Sequence, residues 1–151
     1  MYQIEKIVEL SKEYQEALFL MNQRLSLWNE SKSSLILSTL SSIKDRIIAE
    51  NDFFKKNLYT EKINHGKLIV LRAGNIPVTI SNEVEQGFSI QFHLHINGKV
   101  IVGYTNNSIS ENNGFNILKT YEDLNLITEE EILKLVYEGI EKSMQSSFLF
   151  E

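Results

Sequence analysis

The stretch Phe88–Tyr104, FSIQFHLHINGKVIVGY, decides the fold class of this chain. Its first half alternates polar residues with five apolar ones: Phe88, Ile90, Phe92, Leu94 and Ile96. Successive side chains of a strand point to opposite faces, so the alternation predicts a strand with one apolar and one polar face. Asn97-Gly98 then predicts a tight type I′ turn, because both residues tolerate positive φ. The stretch therefore predicts an antiparallel hairpin.

The predicted two-residue turn also sets the register of this hairpin. It pairs Leu94 with Ile101 on the apolar face, and it pairs Gln91 with Tyr104 on the opposite face. The opposite face is then only half polar. We expect a loop, a partner chain or a ligand to cover part of it.

The N-terminal residues carry a helical pattern. Apolar residues recur at spacings of three and four, with one serine among them, at Ile4, Ile7, Ser11, Tyr14, Leu18, Met21, Leu25 and Trp28. This spacing predicts one face of a long helix. A second stripe begins at Ile36 and is out of phase with the first. The phase slip predicts two helices and a turn, a helical hairpin, and one bent helix with a stutter is the alternative.

The middle of the chain is typical of strands. Composition predicts two strands here, over residues 67–73 and 76–81, joined by a turn at Gly74-Asn75. A connector at 60–66 precedes them. Phe115–Tyr121 is a candidate fifth strand. These segments predict an antiparallel β-meander of four to five strands.

The C-terminal segment begins with a capping box, Thr128-Glu129-Glu130-Glu131, which predicts a helix. The apolar tail Phe148-Leu149-Phe150 is expected to dock on the body. The order of elements predicts an α+β fold: an N-terminal helical hairpin, the meander and a C-terminal helix. We expect one domain over residues 1–151, with a sub-boundary near 60–66.

The predicted core draws on the apolar faces of these elements. Its members are Ile7, Tyr14, Leu18, Met21, Leu25, Ile69, Leu71, Val78, Ile80, Phe88, Ile90, Phe92, Leu94, Ile101, Leu133, Val136 and Ile140.

Composition narrows the class of protein. The chain has no cysteine, which removes disulfides and thiolate chemistry. Neither a signal peptide nor a membrane span is evident, so we expect a cytoplasmic protein.

The two halves of the chain differ in charge. Residues 1–75 carry 11 basic and 9 acidic side chains, whereas residues 76–151 carry 4 basic and 11 acidic ones. An acidic half suits a basic protein partner and disfavours nucleic acid, although an acidic surface that only confers solubility explains it too.

The sharpest chemical candidate is His93-Leu94-His95. Residues i and i+2 of a strand point the same way, so the two imidazoles could share a metal ion. With Gln91 and Tyr104 they form an alternative site for a metal or a small molecule on the polar face of the sheet. Two histidines on a polar strand face also need no ligand to explain them.

Catalytic motifs give no support for an enzyme. The sequence contains no G-x-S-x-G, no P-loop and no dinucleotide fingerprint, and its acids lie on helix faces or in turns. We therefore expect a non-enzymatic protein without a cofactor. An enzyme whose site is assembled from scattered acids is a further alternative.

Surplus apolar residues on the first helix favour a protein-binding function. We predict a module that masks a partner protein, as chaperones and toxin-neutralising proteins do. The candidate partner-binding residues combine this apolar surplus with the acids of the second half: Phe19, Leu20, Leu27, Trp28, Glu122, Asp123, Glu129 and Glu130. A homodimer through the N-terminal helices is part of the same expectation.

Overall fold

Five antiparallel strands form one sheet in the computed structural model of the protein, which describes residues 3–77, 85–106 and 114–147. Strand order follows the chain, which is the meander that the sequence predicts. The strands are β1 (Leu58–Ile63), β2 (Leu68–Pro77), β3 (Glu85–Leu94), β4 (Val100–Asn106) and β5 (Asn116–Tyr121). Two of the helices, over residues 33–50 and 129–147, pack on one face of this sheet, and the α+β class is confirmed.

One long helix replaces the predicted N-terminal hairpin. Helix α1 (Ile4–Leu27) continues through a π-helical turn (Trp28–Lys32) into α2 (Ser33–Glu50), and the backbone keeps right-handed helical angles throughout. The hairpin prediction is wrong, and the alternative of one helix with a stutter describes the chain. A π-turn accommodates one extra residue, which accounts for the one-residue slip between the two apolar stripes.

The core lies between the sheet and the helices. α2 packs on β1 and β2, and helix α3 (Glu129–Ser147) packs on β3, β4 and β5. The largest fully buried side chains come from every layer: Trp28, Ile36, Leu40, Ile69, Leu71, Ile90, Phe92, Tyr121, Leu124, Ile127 and Ile132.

The predicted core is right for the sheet and wrong for α1. Ile69, Leu71, Phe88, Ile90, Phe92 and Val136 are buried, and Met21, Leu25, Leu94, Ile101 and Ile140 are half-buried. Exposed instead are Ile7, Tyr14, Leu18 and Leu133. The α1 residues are exposed because the helix extends past the edge of the body. Val78 and Ile80 lie outside the described residues.

The β3–β4 hairpin has a register one residue away from the predicted one. Leu94 pairs with Val100 and His93 with Ile101, and the His95 N–H donates to the Lys99 carbonyl at 2.9 Å, so the loop has three residues. Of the pair Asn97-Gly98, only Gly98 adopts positive φ (80°), and its N–H donates to the His95 carbonyl at 2.9 Å. This is a type I turn followed by a bulge. A one-residue shift exchanges the two faces of β4 relative to β3.

Two predictions about β1 and β2 are also corrected. Residues 58–63, partly assigned to a connector, form β1, which pairs with β2 from Leu58–Ala73 to Ile63–Leu68. The predicted turn at Gly74-Asn75 lies inside the single strand β2, where the register with β3 shifts. The turn between β1 and β2 instead uses three residues with positive φ, Asn64, His65 and Gly66.

The C-terminal helix begins as predicted. The Glu131 N–H donates to Thr128 Oγ1 at 3.2 Å, which is half of the capping box. The Glu131 carboxylate does not complete the box, because it accepts from Lys119 and Tyr121 of β5 instead. The tail Phe148-Leu149-Phe150 lies outside the described residues. No helix in the described ranges is long and apolar enough to cross a bilayer.

Candidate functional site

Helix α1 projects from the body as an arm. The helix lies wholly within the described part of the chain, and none of its residues is buried. Its large apolar side chains are instead solvent-exposed: Ile4, Ile7, Val8, Leu10, Tyr14, Leu18, Phe19 and Leu20. Water-exposed apolar side chains at this density on one helix are typical of a surface that contacts another molecule.

The arm is fixed to the body at its C-terminal end. Arg24 Nε donates to the Glu122 carbonyl at 2.8 Å, and Arg24 Nη1 donates to the Asn97 carbonyl at 3.3 Å. One turn further on, Trp28 is 1% exposed and its Nε1 donates to the Gly66 carbonyl at 2.9 Å. Because these contacts reach three separate loops, the direction of the arm is set by the body.

A groove lies at the base of the arm, between α1 and residues 122–125. Two adjoining depressions form it, and they share Gln23, Leu27 and Asn125. We call it the basal groove. Its lining consists of Phe19, Leu20, Asn22, Gln23, Arg24, Ser26, Leu27, Glu30, Glu122, Asp123, Leu124 and Asn125.

The wall of the groove opposite α1 is a capped turn whose central leucine is buried. Asp123 Oδ1 accepts the Asn125 N–H at 3.0 Å, which caps the 3₁₀ turn Leu124–Leu126. Leu124 is buried in the core beneath. The groove is therefore formed before any partner arrives, and little ordering cost remains for binding.

Three carboxylates and one guanidinium line the groove, those of Glu30, Glu122, Asp123 and Arg24. The Lys99 ammonium donates to Glu122 Oε1 at 2.9 Å, and this hydrogen bond holds the pKa of the exposed Glu122 carboxyl below its usual range. Glu30 and Asp123 take part in no ion pair within the described ranges. Two uncompensated carboxylates thus border an apolar floor made by Phe19, Leu20 and Leu27.

The structure brings together five of the eight predicted partner-binding residues, namely Phe19, Leu20, Leu27, Glu122 and Asp123. Trp28 was predicted to contact a partner, and that prediction is corrected because its ring is buried in the core. Glu129 and Glu130 lie apart from the groove, on the first turn of α3. There Glu129 lines a different depression, between α2 and α3.

Sequence reasoning missed the polar part of the groove. Asn22, Gln23 and Glu30 follow Phe19 at helical spacings of three, four and eleven, so periodicity could have placed them on its side of α1. Asn125 could not have been found in this way, because only tertiary packing brings it to α1.

The alternative ligand site lies on the face of the sheet away from the helices. Gln91, His93, His95, Ile101, Phe115 and Ile117 line a shallow depression there, which we call the outer patch. Tyr104 is not part of it. It pairs with Ile90 and packs against the core, because the corrected register turns its side chain to the inner face.

His93 is the central side chain of the outer patch. Its Nε2 lies 2.7 Å from Gln91 Oε1, and its ring meets the Phe115 ring edge-on at 4.8 Å between centroids. Burial, and then the neighbouring His95, lower the pKa of His93. The neutral imidazole therefore prevails at pH 7, which is the form that coordinates metals.

The outer patch supplies two imidazoles, with ring centroids 6.4 Å apart. Among the described residues, no group of three or more metal-ligating side chains could surround an ion. The loop carboxylates of Glu83 and Glu111 lie outside the described residues. Val70 and Ser89 on this face are buried.

Comparison of the chain with protein-family models gave no match, and comparisons with curated proteins and with solved structures gave none either.

Proposed function

We propose that this chain is a non-enzymatic protein-binding module of the chaperone or toxin-neutralising type, which masks a basic partner protein at the basal groove. The observation that carries the proposal is the convergence of exposed apolar side chains and uncompensated acids in one preformed groove. Apolar contacts at its floor supply affinity, and Glu30 and Asp123 at its border select a partner with lysines or arginines around an apolar anchor. The cytoplasmic location expected from the sequence stays a prediction.

Surface variants can test this proposal without disturbing the fold. Phe19 and Leu20 are 63% and 48% exposed, so Phe19→Ser and Leu20→Ser remove groove contacts from side chains that hold nothing in the core. Ile117→Ser, on the outer patch, is the matched control because Ile117 is 62% exposed. We expect the tagged wild-type chain and the control to retain one basic protein at fixed stoichiometry from cell extract. The two groove variants should lose that protein.

Charge variants test how the groove selects its partner. Glu30→Gln combined with Asp123→Asn removes two charges, while the amide that replaces the Asp123 carboxylate keeps an oxygen to cap the Asn125 N–H. With the purified partner at low salt, we expect the association rate to fall by about 10-fold or more, with a weaker salt dependence. Retention of the same proteins by wild type and groove variants, or an unchanged association rate, would refute the proposal.

The outer patch supports a second candidate function, the binding of a metal ion or a small molecule. The specific observation is that a neutral imidazole at His93 and the His95 ring share one depression. Calorimetric titration with zinc should then give heat at one ion per chain, and His93→Ala should abolish it. Absence of heat with zinc and with nickel leaves the two histidines without a metal-binding role.

A further inference from the structure

A second face of the arm is distinct from the basal groove. The stripe that begins at Ile4 ends at Trp28 in the core, so the same side of the helix that packs on the body continues beyond it in solvent. Six residues on this stripe or next to it are large, apolar and 39–76% exposed: Ile4, Ile7, Val8, Leu10, Tyr14 and Leu18. We call this set the arm face.

The arm face has the composition of a helix–helix interface. Val8, Leu10, Gln15 and Ala17, the positions that flank the stripe, carry no charge. The charges of the arm occupy only the remaining third of its circumference: Glu5, Lys6, Glu9, Lys12, Glu13 and Glu16. In coiled coils the flanking positions contact the partner helix, so neutral flanks widen the apolar contact and introduce no repulsion.

We propose that the arm face pairs with the arm face of a second copy of this chain, in antiparallel orientation. This inference goes beyond the proposed masking function and uses other residues. At roughly 200 Å² for a large apolar residue, the six side chains expose on the order of 700 Å². Two such faces can bury at most about 1,400 Å² in total, which lies within the range of a stable protein–protein interface.

The body determines the orientation. Between Met21 and Trp28 the stripe is covered by the chain's own body, with the Met21 carbonyl close to Gly98 and Trp28 in the core. In a parallel pair, the two bodies would compete for this same space. In an antiparallel pair, each body lies at the N-terminal end of the other arm, so the exposed stretches overlap over most of their length.

The spacing of the stripe allows antiparallel registers seven residues apart, and the one centred between residues 12 and 13 gives a long overlap. It forms layers of Ile7 with Leu18 and of Ser11 with Tyr14, and it places Ile4 beside the half-buried Met21 at the edge of the body. Every member of the stripe in this overlap then meets a member of the partner's stripe. The arm enters the interface preformed, since α1 is continuous with the anchored helix α2, and this lowers the ordering cost of association.

Oligomeric state tests the interface. We expect the purified chain to be a dimer by sedimentation equilibrium in the micromolar range. Ile7→Glu and Leu18→Glu should each weaken dimerisation by about 30-fold or more, as expected for a residue at the centre of an interface. Lys12→Glu introduces the same side chain on the charged side of the arm and should leave the dimer intact. Circular dichroism should be unchanged in all three variants, because none of these residues is buried.

Crosslinking tests the register, because the chain has no cysteine of its own. A mixture of Ile7→Cys and Leu18→Cys chains should form a disulfide-linked pair on oxidation. Ile7→Cys alone should not, since the two copies of residue 7 are 11 residues, or about 16 Å, apart along the arms. A monomer at all concentrations, a dimer insensitive to both glutamate variants, or efficient self-crosslinking of Ile7→Cys would each overturn the inference. Leu20→Ser distinguishes this inference from the masking function, because Leu20 lies in the basal groove and outside the arm face. A Leu20→Ser chain that dimerises but no longer retains the partner supports both proposals. If the chain is a monomer and Leu20→Ser still loses the partner, only the dimer inference fails.

Discussion

Gly98 in the β3–β4 loop lies so close to Arg24 of the arm that a β-carbon on Gly98 would sit 2.6 Å from the Arg24 Cβ. The same β-carbon would lie 3.0 Å from the Met21 carbonyl oxygen, so the loop touches both side chain and backbone of α1. The contact places the tip of the hairpin against the base of the arm. Glycine at this position therefore serves the tertiary structure as well as the turn.

Gly98→Ala should destabilise the fold more than Gly66→Ala does. Both glycines have positive φ, at 80° and 82°, so alanine is strained by about 1–2 kcal/mol at either site. At Gly66 a β-carbon meets only the flexible end of Lys62, whereas at Gly98 it meets α1, which adds about 1–3 kcal/mol. Urea unfolding, monitored by the fluorescence of Trp28, measures the loss in the free energy of unfolding for each variant. Equal costs would show that α1 can shift away from the loop freely.

Glu131 should make the stability of the fold depend on pH. Hydrogen bonds from the Lys119 ammonium and then the Tyr121 hydroxyl hold the pKa of the Glu131 carboxyl below its usual value of 4.5. Burial, and then the hydrogen bond to Glu131, raise the pKa of Tyr121, so its hydroxyl stays protonated and remains a donor. These two hydrogen bonds connect Lys119 and Tyr121 of β5 to Glu131 of α3.

The lowered pKa of Glu131 sets the direction in which stability changes with pH. A group that is more acidic in the folded state stabilises it above its unfolded pKa, and the contribution is lost as the pH falls through the folded pKa. Wild type should thus be more stable than Glu131→Gln at pH 7, and the difference should shrink steadily below about pH 4.5. Urea midpoints at pH 7, 5 and 3 measure the stability difference between wild type and Glu131→Gln. The control is Glu130→Gln, because Glu130 is exposed. A difference that is constant with pH would contradict the assigned ion pair.

Local patterns in the sequence were sufficient for the class of fold. Alternation in Phe88–Leu94 and the cap at Thr128 each depend on a few neighbouring residues, and the structure has both elements where the patterns predict them. The break between the two helical stripes predicts a turn, and the structure has a continuous helix there. Its residues 29–34 contain neither glycine nor proline, a signal that favours continuous helix over a hairpin.

Tertiary placement explains what the sequence could not predict about the site. An apolar stripe looks the same on a core helix and on a projecting arm, so the stripe alone predicts Tyr14 and Leu18 in the core. The apolar surplus at Phe19 and Leu20 did indicate a contact surface, and these residues do line the basal groove. Phe19 and Leu20 lie near Asp123 because of the path that residues 122–125 take. A periodic pattern in the sequence does not describe that path.

The register of the β3–β4 hairpin could not be settled from Asn97-Gly98 alone, since this pair suits both a two-residue turn and a type I turn with a bulge. The two registers place opposite residues of β4 in the core. In the structure Val102 pairs with Phe92 and is fully buried, while Ile101 pairs with His93 and is half-buried at the outer patch.

Threonine substitutions at these two neighbouring positions distinguish the registers. Val102→Thr keeps the shape of the side chain but buries a hydroxyl, so we expect a loss of about 1–3 kcal/mol in the free energy of unfolding. Ile101→Thr leaves its hydroxyl near solvent on a strand that tolerates threonine, so it should cost less than about 1 kcal/mol. The two-residue register predicts the opposite order, because Ile101 would then be the core residue. Urea midpoints of the two variants therefore decide which face of β4 is buried, and with it whether Tyr104 belongs to the core or to the outer patch.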